Sequence, residues 1–592
     1  MKVLWTEDPQ DKVFYFHLKG VTVDSVYLNS NKTSAVVGGI VGTNISYYSI
    51  VAPINAKIGD TFYVKVNYSG TMTCETGGTA GWCGGVTSQN GTLYTLGVGF
   101  VADYVSTTQH WLPCYDHPSD KATFHAKFKV PRGKIAVSNG NLTNVEADNT
   151  TITTEWTHDI PCATYLLTFA VDLYFPLEFG SSQLPMTVYS KGADTASTRK
   201  SFSLLPRMVR TFENKFGEYP FEKVGYVNTP TGAMEHQTMI SFPTSLSQSR
   251  DTVNSVAAHE LAHQWFGDNV TPEDFRDAWL TESFATYSES VWAEELGGFT
   301  GYLNNLSGKM SSYFNANEGV FPLYDYPRAA PSSNYPVTIY SKGAVVLGML
   351  RYEVGDSLFY KSLKQYLSAY KYGIANTATF ENMFQQTTGK DLKWFFSQWV
   401  HAKGWVKLDI RTSQTTNIDG KKVTNLRFVQ TQPKDQGPFT NIPIEVGVKQ
   451  KDGKYLYTIF TLKKDDETFT LPVEFPTDYT AITINQGPTL RTLLQVVSLT
   501  EVIENPKEER PELRIIPNPA GSDFQLDYCS EQNGSAVIVI TNVEGKQLYK
   551  EIITVHQGQQ KITLHNTLSS GMYWLSIEQN GRESTKQFVI QQ

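Results

Sequence analysis

Residues 259–268, HELAHQWFGD, constrain this chain more than any other stretch. On a helix, residues i and i+4 stack on one face, so the imidazoles of His259 and His263 can reach one ion at about 2.0–2.1 Å. Neutral imidazole suits Zn²⁺, and three protein ligands plus water mark a catalytic rather than a structural zinc. Glu260 lies too far round the helix to be the best ligand. It is placed to touch the water in the fourth position, take its proton as general base and later deliver it to a leaving amine. A third ligand should come from a following helix. Glu282, in WLTESFATY (279–287), follows His263 after eighteen intervening residues, enough for a turn and an antiparallel helix that returns its carboxylate to the ion. The pattern therefore predicts one Zn²⁺ per chain, held by His259, His263 and Glu282.

Around that motif the chain reads as a multidomain α+β protein. Its 592 residues allow three to five domains at the usual ~100–200 residues each. Residues 1–175 carry strand patterns, as in Val13–Phe16, Thr61–Val66 and Ala122–Phe128, with β-formers between Gly, Asn and Ser turns. From 176 to 404 apolar residues recur at helical spacing, in Ser203–Phe216, Thr252–Phe266, Ala278–Leu296, Tyr340–Val354 and Leu358–Tyr370. Period-two sets then return over 405–498 (Leu408/Ile410, Leu426/Phe428, Ile442/Ile444/Val446/Val448), the pattern of a half-buried sandwich. A charged, Pro-punctuated linker is expected at 499–512. A last β-rich unit occupies 513–592, with Val537–Ile540 and Tyr573–Ile577 as strands.

Composition removes several function classes. With 58 Asp+Glu against 50 Lys+Arg the net charge is −8, which disfavours nucleic acid as a partner. Charged residues reach only 18% and aromatics 13%, which excludes a disordered chain. The most apolar stretches, such as Ala344–Leu350, fall far short of the ~18 residues of a membrane-spanning helix. Five cysteines cannot form a disulfide framework for so long a chain. Cys74 and Cys83 bracket a Gly-rich loop and either pair, in an oxidising compartment, or stay free thiols. Cys114, Cys162 and Cys529 show no metal-ligand spacing.

Upstream of the helix motif stands Gly232-Ala233-Met234-Glu235-His236. Taken alone, a glutamate near a glycine reads as a surface turn. GAMEH followed by HELAHQWFGD and WLTESFATY, however, resembles the gluzincin zinc aminopeptidases of the aminopeptidase N family. Ile339-Tyr340-Ser341-Lys342-Gly343 is similar to the family's tyrosine-bearing motif. Trp394–Trp399 with Gly404 is similar to its catalytic-domain ending, and Pro113–Pro118 with Lys121–Thr123 to its N-terminal-domain signature. The resemblance spans roughly residues 1–495. It implies a saddle-like β-rich N-terminal domain, a thermolysin-like and mainly helical catalytic domain, and a β-sandwich. It also implies that Glu235 binds the α-ammonium of a peptide with a free N-terminus, and that the backbone of Gly232 and Ala233 aligns that peptide as an added strand. Met234 would help form the side-chain pocket, and Tyr340 would donate a hydrogen bond to the oxyanion.

The chain departs from the family at His236, usually Asn, and at Ser283, usually Gly. Thr108-Gln109-His110-Trp111 stands where an Ala-Arg pair is usual, so a second amine-binding residue does not transfer onto Gln109. Nothing resembles the large helical C-terminal domain of many relatives. Residues from Leu513 instead resemble the C-terminal sorting domain of type IX secretion in Gram-negative bacteria. They carry Arg514–Ala520 (RIIPNPA), Asn542–Lys546 (NVEGK), Leu568–Tyr573 (LSSGMY) and a final Lys586–Ile590. That resemblance implies a small β-sandwich read by the secretion machinery and a secreted or cell-surface protein. A signal peptide is then required, and none is visible before the acidic Glu7-Asp8, so the natural N-terminus is expected to lie further upstream. The leading expectation is a zinc-dependent aminopeptidase that cleaves by metal-activated water. The alternatives are a thermolysin-type endopeptidase, which does not need GAMEH, and a surface adhesin with a vestigial metal site.

Overall fold

A computed structural model of the chain describes residues 1–5, 12–39, 46–75, 83–99, 105–192, 195–327, 335–416, 420, 422–450, 452–471, 481–501, 513–530 and 532–591. They fall into two compact units. The first comprises Met1–Arg411, Leu426–Leu471 and Phe475–Thr500, and the second Thr412–Asn425, Pro472–Glu474 and Glu501–Gln592.

The first unit opens in β-sheets, as the sequence predicts. Thr61–Ser69 lies between Lys2–Leu4 and Thr22–Leu28, and the long strands Lys121–Pro131 and Thr151–Ala163 pair antiparallel. Trp111, Trp156, Tyr165 and Phe169 form a buried core that also takes in Val227 and Met234 from the next segment. The N-terminal sheets are thereby packed against the very loop that carries Glu235. Cys74 and Cys83 are joined in a disulfide. Cys114 and Cys162 are buried thiols.

The helical reading of 176–404 misses a sheet. Tyr174–Glu178, Met186–Lys191, Val224–Thr229 and Ile240–Pro243 form four strands in that order, the first antiparallel to the second and the rest parallel. The first of them straddles the expected boundary at 175/176. All six residues of Val224–Thr229 are buried. A strand covered on both faces has no inside-outside alternation, so the period-two signal is missing.

The helices lie close to their expected places: Leu205–Phe216, Ser255–His263, Trp279–Phe314, Gly343–Val354 and Asp356–Ala369. Trp279–Phe314 is broken at Gly298, with φ 65°, two residues past the Leu296 end predicted from periodicity. Left-handed backbone costs a glycine little, which is why the helix changes direction there. Phe266 stacks on Phe284 with ring centroids 4.5 Å apart, and Trp265 is buried with its Nε1 donating to the Gly217 carbonyl at 2.9 Å. Such an aromatic pair contributes about 0.5–1.5 kcal/mol beyond its area, and it locks the two motif-bearing helices together.

Further on, Ile442–Lys449 pairs with Tyr455–Leu462 and Ile482–Ile484. Leu408, Ile410, Leu426 and Phe428 are fully buried, as their alternation predicts. The strand Leu494–Glu501 runs three residues past the expected sandwich end at 498. The remainder of the expected linker, 502–512, lies outside the described residues. In the second unit a sheet of Arg514–Ile516, Asp523–Ser530 and Gly558–His565 and another of Gln547–Val555, Gly534–Asn542, Gly571–Gln579 and Arg582–Ile590 enclose one core. Ile538, Ile540, Leu575 and Ile577 are at its centre, so both strands anticipated in the tail are present and adjacent. No described helix is long and apolar enough to cross a membrane.

Candidate metal centre

The Ser255–His263 helix begins after Asn254, whose φ of 44° turns the chain into it. His259 and His263 follow one turn apart, and their Nε2 atoms lie 3.2 Å from each other. Glu282 sits in the first turn of Trp279–Phe314, where the helix dipole favours a carboxylate. Its Oε2 is 3.4 Å from both Nε2 atoms. Three ligands at 2.0–2.1 Å in tetrahedral array stand about 3.3–3.4 Å apart, so the donor atoms of His259, His263 and Glu282 already span one face of such a tetrahedron. The residues fit zinc.

Both imidazoles are also oriented from behind. His259 Nδ1 lies 3.1 Å from Glu289 Oε1, and the other carboxylate oxygen, Oε2, pairs with Lys309 Nζ at 2.5 Å. His263 Nδ1 lies 3.1 Å from the Phe266 carbonyl. With each Nδ1–H donated outward, the Nε2 lone pairs of the neutral rings are directed at one point. The charges agree with this geometry. Burial lowers the affinity of His259 and His263 for a proton, yet the hydrogen bonds and charges of Glu282, Glu289 and Glu235 raise both above the usual histidine range. The same buried carboxylates would also stabilise a divalent cation held between the two rings.

These groups form one wall of a cavity of about 200 Å³, whose lining also includes Ala233, Met234, Glu235, Glu260 and Tyr340. Glu260 and Glu235 are buried. Donor atoms of Glu235, Glu260 and His263 lie within 4.8 Å of one another. Burial pushes the Glu260 carboxyl up, opposed by His259 and His263. Tyr340 projects from a π-helical turn, Thr338–Lys342, the kind of local irregularity that accompanies functional sites. Its ring stacks on His259 at 6.0 Å and 20°. Ser283, the neighbour of Glu282, donates from Oγ to the Ile339 carbonyl at 2.6 Å. A Cβ on Gly343 would lie 1.7 Å from that Oγ, so only glycine admits the close approach of the Tyr340 turn to the Glu282 helix.

The other expected residues are placed differently. Gly232 is outside the cavity lining. It supplies a turn at φ 79°, and its carbonyl accepts from Thr229 Oγ1 at 3.2 Å. His236 is fully buried and outside the cavity lining, accepting from the Gly97 N–H at 3.3 Å and contacting Ser241 Oγ at 3.0 Å. Gln109 is buried and bonded to the Ser106 carbonyl, and it does not line the cavity. Glu289, the partner of His259, was not singled out from the sequence. Its signal was available: it follows Glu282 by seven residues, two turns along one helix face.

Residues 201–399 match the peptidase family M1 domain, residues 11–166 the peptidase M1 N-terminal domain, and residues 514–591 a secretion system C-terminal sorting domain. Among curated proteins the chain is similar to "Probable aminopeptidase 2" of Sulfurisphaera tokodaii, with 26% identity over 64% of this chain and 50% of that protein. It is 27% identical to rat glutamyl aminopeptidase over 56% of this chain and 37% of that protein. The chain thus spans half or less of the length of these relatives. Among solved structures, an M1 zinc metallopeptidase from Deinococcus radiodurans superposes with a TM-score of 0.57 at 26% identity, covering 66% of this chain and 86% of that one. Legionella pneumophila aminopeptidase A shares the fold at a TM-score of 0.65 and 18% identity, over 83% of this chain and 56% of that one.

Proposed function

We propose that this chain, which carries the catalytic and N-terminal domains of peptidase family M1, is a zinc aminopeptidase that removes the first residue of peptides. The reading is carried by one observation: three donor atoms 3.2–3.4 Å apart share a small cavity with two further buried carboxylates and a tyrosine. His259, His263 and Glu282 hold one Zn²⁺ per chain. Bound there, the ion supplies a Lewis acid that polarises the scissile carbonyl and acidifies water.

The chain's own residues perform the remaining work. Glu260 accepts the proton of the attacking water and returns it to the departing amine, a task helped by a carboxyl whose proton affinity burial has raised. Tyr340 donates its hydroxyl hydrogen to the oxyanion as charge develops on the former carbonyl oxygen. Glu235 pairs with the α-ammonium. Its carboxylate lies within 4.8 Å of the His263 donor atom, so an amine paired with it stands beside the ion site. Ala233 and Met234 line the path of the peptide, with Gly232 turning the chain into position.

A panel of aminoacyl chromogenic amides, free and N-acetylated, with and without chelator, tests this. Hydrolysis of free-amine substrates that chelator abolishes and zinc restores is expected, with acetylated substrates inert. Equal cleavage of acetylated substrates would establish an endopeptidase, and chelator-insensitive or absent turnover would defeat the metal mechanism. We assign residues 513–592 to export through type IX secretion from a Gram-negative bacterium, consistent with the Cys74–Cys83 disulfide. Deleting them in such a host should retain the enzyme within the cell. Undiminished surface or medium activity would refute that assignment.

A further inference from the structure

We propose that Gln264 is the positioning residue that fixes the distance between the Glu235 carboxylate and the metal ligands, an inference that rests on the reading of Glu235 as amine anchor. Gln264 directly follows His263 and is fully buried. Every hydrogen-bonding position of its amide is occupied. Nε2 donates to the Glu235 carbonyl at 3.0 Å and to Asp268 Oδ2 at 2.6 Å. Oε1 accepts from the Thr238 backbone N–H at 2.9 Å and lies 3.2 Å from the Tyr219 hydroxyl, which shares its one hydrogen with the Lys223 carbonyl at 2.9 Å. Glu235 and Thr238 belong to the same loop. One side chain therefore grips that loop at two points and ties it to the residue next to a metal ligand. The bridge demands a donor and an acceptor in one rigid plane, which the amide of glutamine provides and neither a carboxylate nor a hydrocarbon does.

Backbone geometry gives independent support. Thr238 has φ 62°, a left-handed conformation that a β-branched residue adopts only where its surroundings over-determine it. Here they do so from several sides. The Gly140 N–H donates to Thr238 Oγ1 at 2.8 Å, and a Cβ on Gly225 would meet the Thr238 carbonyl at 2.3 Å. The loop is thus held in a strained shape that presents Glu235 to the cavity, and Gln264 is the link between that shape and the metal helix. Without the amide the loop can relax while the helix, and the ion it holds, stay in place.

Gln264→Met keeps length and approximate volume but removes the amide. It is to be compared with Glu235→Ala and the double variant, by zinc content and by KM and kcat on a free aminoacyl p-nitroanilide. Gln264→Met is expected to retain wild-type zinc and to raise KM about 10- to 100-fold with a smaller change in kcat. Adding Glu235→Ala should cost little more, because both act through one carboxylate. A KM unchanged in Gln264→Met but raised in Glu235→Ala overturns the role of Gln264 alone, as do effects that multiply in the double variant. A KM unchanged in Glu235→Ala overturns the amine-anchor reading and this inference with it. If Gln264→Met does not fold, Gln264→Glu keeps the acceptor toward Thr238 and Tyr219 while losing the donor, and the same outcomes decide.

Discussion

The two walls of the cavity are built in opposite ways. The metal wall is regular: two imidazoles one helical turn apart, and a carboxylate in the first turn of the next helix. The opposite wall, with Ala233, Met234, Glu235 and Tyr340, rests on irregular backbone: a glycine at φ 79° and a threonine at φ 62° flank Ala233–Glu235 in their loop, and the tyrosine sits in a π-turn. Helical periodicity aligns the two imidazoles, and the stacking of Phe266 on Phe284 holds the next helix, with its carboxylate, beside them. The second wall is held by long-range bonds, from Gln264 to the GAMEH loop and from Ser283 to the Tyr340 turn. An ion needs only donor atoms at fixed spacing. A reacting peptide needs its amine, carbonyl and leaving group placed at once, and regular structure seldom offers all three points.

The sharpest test of that division is Glu260→Gln, which alters chemistry without touching a ligand. It should lower kcat by about 10³- to 10⁴-fold with zinc content unchanged by metal analysis. Loss of zinc from this variant would show that Glu260 belongs to the metal wall. Tyr340→Phe removes one oxyanion donor and should cost about 10²- to 10³-fold in kcat while KM stays nearly constant. If KM alone rose, Tyr340 would be a binding group. Glu289→Gln weakens the support behind His259 and is expected to lower zinc affinity about 10- to 100-fold, measured by competition with a chelator. Turnover at saturating zinc should survive, in contrast with Glu260→Gln.

The last effect concerns stability rather than turnover. Burial lowers His236 to about 3, far below the usual histidine value. The unfolded chain then takes up a proton that the native state refuses, so stability is full above about pH 6.5 and falls by up to ~1.4 kcal/mol per pH unit as pH drops toward 3. His236→Gln keeps an acceptor for the Gly97 N–H and should flatten the fall in urea midpoint between pH 7 and pH 4. An unchanged slope would show that His236 is protonated in the native state.

The cluster of His259, His263 and Glu282 was legible in the sequence because the two histidines stand at helical spacing and Glu282 follows after eighteen intervening residues. The N-terminal and tail strands and the Leu408/Ile410 and Leu426/Phe428 pairs were legible because each alternates between a buried and a more exposed face. The central sheet was not, since Val224–Thr229 is buried on both faces and shows no alternation. Glu289 lay within reach of a periodicity argument. Gln264 and Ser283 did not, because what defines them is a partner 29 and 56 residues away.

The sequence by itself determined the residue types of the proposed site, the helix that pairs the two imidazoles and the order of the β-rich and helical regions. Those follow from local spacing and motif, which folding preserves. Only the tertiary structure decided which way the imidazoles are tethered, how near Glu235 comes to them, why Thr238 tolerates its left-handed backbone and why no side chain fits at Gly343. Each of those depends on atoms brought together across long stretches of chain, and no local pattern encodes such a distance.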